Sequence, residues 1–174
     1  MRVYCRLFVV IILVCAICPT AASASELSKG SKELNLSVLL QDTDGAGFYL
    51  NIASRFGYLI TANHEAGPIV SALYVRPDSG GTIKAASLGA FYRYNFSTTN
   101  AMVLPFFGLA TVGYVGDLRD TLDWGWQAEG GIRLMPTPAA SVNTTVFWKR
   151  DYTLSQWVTD ERAFGVTVGF SIFF

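Results

Sequence analysis

The chain has 174 residues, 51% of them hydrophobic, 14% aromatic and only 15% charged, with 13 basic and 13 acidic side chains in balance. No basic surplus marks it for nucleic acid, and beyond the N-terminus no apolar run approaches the roughly 18 residues that a membrane helix needs. The apolar residues are instead dispersed by alternation, the signature of strands.

Residues 1–24, "MRVYCRLFVVIILVCAICPTAASA", carry a short basic start (Arg2, Arg6), an apolar stretch from Leu7 to Ile17, a break at Pro19 and a small-residue site at Ala22-Ser23-Ala24. That order predicts a secretory signal peptide cut after Ala24. The expected organisation is a leader at 1–24, a short N-terminal segment at 25–31 and one domain at 32–174. All three cysteines (Cys5, Cys15, Cys18) fall in the leader, so the exported form is expected to use neither disulfides nor thiolate chemistry. A lipid anchor is not expected, because Cys15 follows Val14 and Cys18 follows Ile17 where a small residue would be needed. With Arg2 and Arg6 gone, 11 basic residues face 13 acidic ones, net −2.

Eight segments of period two follow, with turn chemistry between them: roughly Lys32 to Gln41, Phe48 to Ile60, Ala66 to Val75, Ile83 to Tyr94, Val103 to Val115, Trp124 to Leu134, Ala140 to Arg150 and Arg162 to Phe174. Each is near or above the roughly 9–11 residues of a tilted strand that crosses a bilayer. The fold class is all-β. On the sixth segment one face carries Trp124, Trp126, Ala128, Gly130, Ile132 and Leu134, and the other Gly125, Gln127, Glu129, Gly131 and Arg133. Arg55 and Arg93 likewise oppose apolar faces on the second and fourth segments. Aromatic residues gather at both ends of the strands: Tyr58, Tyr94, Phe96, Phe106 and Phe174 on one rim, and Phe48, Tyr114, Trp124, Trp126 and Trp148 towards the other. Two such girdles suit an apolar band between headgroup layers, and a soluble core has no use for them. The expected architecture is an eight-stranded antiparallel up-and-down transmembrane β-barrel.

Three connections, "TANHE", "NFSTTN" and "MPTPA", lie on the rim of the termini and are short; "DTDGAG", "RPDSGG", "GDLRDTLD" and "TLSQWVTDE" are mostly longer and charged. Short turns face the periplasm and longer loops the exterior in such barrels. Inward candidates are Glu33, Asn35, Gln41, Asn51, Arg55, Arg93, Gln127, Glu129, Arg133 and Lys149, with the bulky Tyr49, Phe91 and Phe107. An eight-stranded lumen is just wide enough for side chains to fill, and buried charges must pair. A polar lumen network of Glu33 and Glu129 with Arg55, Arg93 and Arg133 is therefore expected, plugging the barrel. Around the outer rim, Arg76, Lys84, Arg119, Lys149, Arg150 and Arg162 could meet lipid phosphates.

The stretches "FYLNIASRFGYLITANHEAGPIVSALY", "SLGAFYRYNFSTTNAMVLPFFGLATVGY", "GWQAEGGIRLMPTPAASVNTTVFW" and "FGVTVGFSIFF" together resemble the outer-membrane β-barrel domain family, the small porin-like proteins of the OmpA/OmpX type. The resemblance implies a bacterial outer-membrane location, with 25–31 in the periplasm. Its implied partners are outer-membrane lipid and lipopolysaccharide, the barrel-assembly machinery and periplasmic chaperones, with no nucleic acid and a monomeric state. It also implies that Phe174, aided by Ile172, Phe170, Val168 and Val166, is the terminal signal the assembly machinery reads.

Enzymatic relatives of this architecture, such as lipid A deacylases and omptin-type proteases, place His with Ser, Asp or Glu near the external rim. The one histidine, His64, falls in "TANHE", a turn on the opposite rim, so no catalytic residue is expected. Asp42 and Asp44 open a "DTDG" run that lacks the later ligands of a calcium loop, and Asp117, Asp120 and Asp123 share another loop; both are expected to be solvated, with no metal or cofactor. The functional expectation is an integral outer-membrane barrel with a structural or cell-surface role and a mostly plugged lumen. A narrow porin-like channel for small solutes and a surface adhesin or host-interaction protein are the alternatives.

Overall fold

The structure, a computed structural model, describes residues 27–43, 47–78, 80–98, 102–116, 124–152 and 161–174. The expected leader lies outside these residues, as do the connections 44–46, 117–123 and 153–160. The strands are β1 (Lys32–Thr43), β2 (Gly47–Leu59), β3 (His64–Arg76), β4 (Ile83–Asn95), β5 (Val103–Gly116), β6 (Trp124–Thr137), β7 (Ala140–Tyr152) and β8 (Glu161–Phe173). Each pairs antiparallel with the next, and β8 returns to β1 to close a barrel. Closure lets every strand use its backbone donors and acceptors without an exposed edge, the condition for a sheet to exist in hydrocarbon. Two strands extend past their expected ends with consequences inside the barrel: β3 begins at His64, so it includes Glu65, and β7 runs on to Tyr152, so it includes Asp151.

The register of β6 against β7 shifts between Leu134 and Thr137. Pro136 sits in that interval, where its missing amide donor interrupts no regular ladder. On the rim bearing the termini, the first described residues fold back over the opening. Gly30 N donates to Leu59 O at 2.8 Å and Leu59 N to Ser31 O at 2.9 Å. Lys32 and Phe174 exchange backbone bonds of 2.8 and 3.0 Å, which ties the two ends of the domain together. Leu27, Leu59, Met135 and Phe173 form a buried apolar cluster there, with Leu104 packed against it.

The two faces of the sheet have opposite chemistry. Outside, Val70, Leu88, Phe164 and Phe174 expose 51, 64, 74 and 64% of their surface, and Leu34, Leu36, Ile52, Phe56, Leu109, Val146 and Phe170 are exposed as well. Inside, Glu33, Arg55, Glu65, Arg93, Glu129 and Arg133 are buried. An apolar belt encircling a protein is far beyond the patches that water-soluble monomers tolerate, whereas lipid covers it at no cost in hydration. The chain is a membrane-spanning barrel, and the charged groups buried among its described residues lie inside the cylinder.

Candidate functional site: the charged ladder in the lumen

The inward side chains follow from strand parity. With Val38, Leu36 and Leu34 outward, β1 turns Glu33 and Asn35 in; β2 turns in Arg55, β3 Glu65, β4 Arg93, and β6 Glu129 and Arg133. These six charges, three of each sign, form one connected set. Arg55 grips Glu129 with two parallel bonds, Nη1 to Oε1 at 2.5 Å and Nη2 to Oε2 at 2.7 Å. Arg93 joins Glu129 through Nη2 at 3.2 Å and lies 3.5 and 3.6 Å from Glu33 and Glu65 through Nη1. Arg133 Nη2 completes the set with bonds of 2.5 Å to Glu33 and 2.8 Å to Glu65.

Neutral groups extend this network. Ser171 donates to Glu33 Oε1, Asn143 and Asn35 donate to Ser171 Oγ at 2.6 and 2.9 Å, and Gln127 donates to Glu129 Oε2 at 3.0 Å. Phenyl rings interleave with the guanidinium groups. Phe173 and Phe106 flank Arg133 at 5.4 and 5.7 Å, Phe106 and Phe91 flank Arg93 at 4.4 and 5.4 Å, and Phe91 meets Arg55 at 5.4 Å. The sequence Phe173, Arg133, Phe106, Arg93, Phe91, Arg55 is thus a ladder of alternating rings and cations running up the lumen. Ring faces attract cations in a desolvated site, and they lie against guanidinium groups whose Nε atoms meet no hydrogen-bond acceptor among the described residues. Beside Arg55 and Arg93 there remains a polar cavity of about 10 Å³, lined by Asn35, Ser37, Asn143 and Thr145, room for about one water molecule.

Glycines make space for the large groups. A Cβ on Gly57 would strike Glu65 Oε1, and one on Gly108, which pairs in register with Glu129, would sit 3.0 Å from that carboxylate. Towards the outer rim a smaller group repeats the scheme: Tyr114 Oη donates to Asp151 at 2.7 Å, and Lys149 reaches the same carboxylate at 2.8 Å.

All five of the expected network residues, Glu33, Arg55, Arg93, Glu129 and Arg133, meet in the ladder. Glu65, fully buried between Arg93 and Arg133, was not among them; the parity of Ile69 and Gly67, carried two residues further, points it inward. Phe106, expected on a rim, fills the lumen, while Phe107, expected inside, is 49% exposed. The local run Leu-Pro-Phe-Phe is apolar on both faces, so alternation cannot set its phase. Tyr114 is likewise a lumen residue and not part of the outer girdle. His64 is the first residue of β3, not a turn residue; its Nδ1 lies 2.5 Å from Tyr92 Oη and its ring packs on Tyr94. The side chains of Gln41 and Asp42 and the acidic residues Asp44, Asp117, Asp120 and Asp123 lie outside the described side chains. Val166, Val168, Phe170, Ile172 and Phe174 all stand on the outer face of the β8 segment.

No family model and no curated protein matches this sequence. Solved structures do match its shape. The N-terminal β-barrel domain of Pseudomonas aeruginosa OprF superposes with a TM-score of 0.56 at 13% identity, over 84% of this chain and 98% of that one. Neisserial surface protein A gives 0.54 at 16% identity, over 83% and 95%. The fold is that of a small outer-membrane β-barrel. A barrel from the de novo design of transmembrane β-barrels also superposes, with a TM-score of 0.52 at 12% identity, over 86% of this chain and all of that one. A barrel of this kind therefore needs no particular activity to exist, and the role of this one has to come from its own residues.

Proposed function

We propose that this protein is an integral outer-membrane barrel of a Gram-negative bacterium with a structural or cell-surface role, and that its lumen is sealed to solutes. The observation that carries the reading is the ladder from Phe173 to Arg55, in which three guanidinium groups, three carboxylates and three rings occupy the lumen above an apolar cap. An eight-stranded cylinder has little width beyond what such side chains fill, and charges already paired to one another offer a passing ion no hydration to replace its own. Phe174 and the outward Ile172, Phe170, Val168 and Val166 belong to the same reading as the segment the assembly machinery engages. We assign no reaction to the protein.

Reconstitution into planar bilayers in high salt tests the seal. The expected record shows no stable conductance steps for the wild type, with steps appearing in Arg93→Ala, where the middle of the ladder is removed. Steady wild-type openings whose size shifts in Arg93→Ala or Glu129→Ala would replace the sealed reading with a narrow channel.

A further inference from the structure

The pairing that closes the barrel is the shortest of the eight. β1 runs on to Thr43 and β8 begins at Glu161, yet their register ends towards the outer rim at Val38 opposite Val168. Beyond that row residues 39–43 stay paired with β2 and residues 161–167 with β7, and among the described residues the two stretches share no pair with each other. The inward side chains follow the parting. On β8 Ser171 and Gly169 are buried, Thr167 and Gly165 half-buried and Ala163 exposed; on β1 burial falls from Glu33 and Asn35 to Ser37 and Leu39. The polar cavity beside Arg55 and Arg93 lies where the strands part: Ser37, Thr167 and Gly169 of the two seam strands line it, with the amides of Asn35 and Asn143 behind them, and no carboxylate among the described residues does.

We infer that the cavity and the parted seam form one site for a single-chain fatty acid, whose carboxylate sits beside Arg55 and Arg93 and whose chain leaves through the seam into the outer leaflet. A volume of about 10 Å³ admits one oxygen-sized group, which suits an oxygen of a carboxylate and excludes a phosphodiester head. Both arginines keep a buried Nε that meets no acceptor among the described residues, so each holds donor capacity that its bonds to Glu129 do not use, and charge-assisted bonds to a carboxylate are the strong kind. In the row above, the buried Phe147 ring packs so closely over Gly165 that a Cβ there would lie 2.7 Å from it. That ring and Leu39 offer the first methylenes an apolar surface, and the outward Phe164 and Val166 continue it into the lipid. Backbone without a strand partner is tolerated at membrane depth only beside protein or a cavity; a hydrocarbon chain lying in the parted seam joins the cavity to the bilayer without admitting water. The charged ladder closes the lumen below, so the site is blind, and the inference needs the membrane placement of the barrel but no conducting lumen.

The test uses the folded exported chain in phosphatidylcholine nanodiscs with a hexadecanoic acid that carries a photoreactive diazirine three carbons from its carboxylate, the labelled residues being located by mass spectrometry. Labelling is expected on the inward Leu39, Phe147 or Thr167, and unlabelled hexadecanoic acid should displace it at a concentration at least about tenfold below that needed of hexadecanol. The acid, and not the alcohol, is expected to shift the Nε–H signals of Arg55 and Arg93 in nuclear magnetic resonance spectra. T167W, which fills the mouth of the cavity, abolishes inward labelling, whereas L88W on the outer face of β4 leaves it unchanged. Heat-modifiable gel mobility shows which variants are folded, and S37L carries the comparison if T167W is not. Labelling confined to outward residues such as Val70 and Leu88 would overturn the inference while leaving the membrane placement intact. Equal displacement by hexadecanol, arginine signals that ignore the acid, or inward labelling undiminished in the folded cavity-filling variant would overturn it as well.

Discussion

Arg133 has both of its ionic partners, Glu33 and Glu65, on other strands, and all three side chains are almost fully buried. Deleting one member leaves an uncompensated charge in a medium that cannot solvate it, so Glu65→Gln is expected to destabilise the folded barrel by about 3–5 kcal/mol, measured as the shift in the urea midpoint of gel mobility in lipid vesicles. Removing Arg55 and Glu129 together, as R55M/E129M, is expected to cost clearly less than the sum of the two single changes, because the pair leaves as a neutral unit. Gly57→Val is expected to be as damaging as a core overpacking change, about 1–3 kcal/mol, since its side chain would occupy the position of the Glu65 carboxylate. The charges Arg55, Arg93, Glu129 and Arg133 were legible in the sequence because each interrupts an apolar alternation. Glu65 was hidden because "TANHE" has turn composition, and turn composition outweighs parity when a strand is read only from its apolar residues. Phe106 and Phe107 were exchanged for the converse reason, two adjacent rings giving no contrast between the faces.

At the scale of the strand, alternation fixes which face meets lipid, and depth fixes how much that face tolerates. Val70 lies in the middle of β3 on the exposed side, and Phe48 stands at the outer end of β2 with its ring edge-on to Tyr74. An arginine at Val70 is expected to cost about 2–4 kcal/mol, and one at Phe48 about 0–1 kcal/mol beyond the loss of its ring contact. Equal costs at the two sites, read from the same vesicle unfolding experiment, would mean that β3 is not embedded at mid-depth. Strand number, order and approximate ends were all legible, because segments of 12–14 residues with turns between them leave few ways to be paired. The shift between Leu134 and Thr137 was not: Pro136 announces an interruption without saying how the register recovers from it.

For the whole molecule, closure is what makes the two chemistries compatible. β1 pairs β8 from Glu33 opposite Phe173 to Val38 opposite Val168, so the acid at the base of the ladder is held by the strand pair that closes the cylinder. The same residues that seal the seam position the network, and the apolar cap of Leu27, Leu59, Met135 and Phe173 seals the rim beneath it. The architecture was legible in the sequence from two aromatic girdles and the split of faces; the interleaving of rings with guanidinium groups was not, because it depends on the stagger between strands that closure imposes. The central claim, lipid outside and paired charge inside, is tested most directly by paramagnetic relaxation in nanodiscs carrying a spin label on the lipid tails. Methyl signals of Leu36, Val70, Leu88 and Val168 are expected to broaden strongly while the guanidinium signals of Arg93 and Arg133 stay sharp; broadened arginines beside unaffected methyls would contradict it.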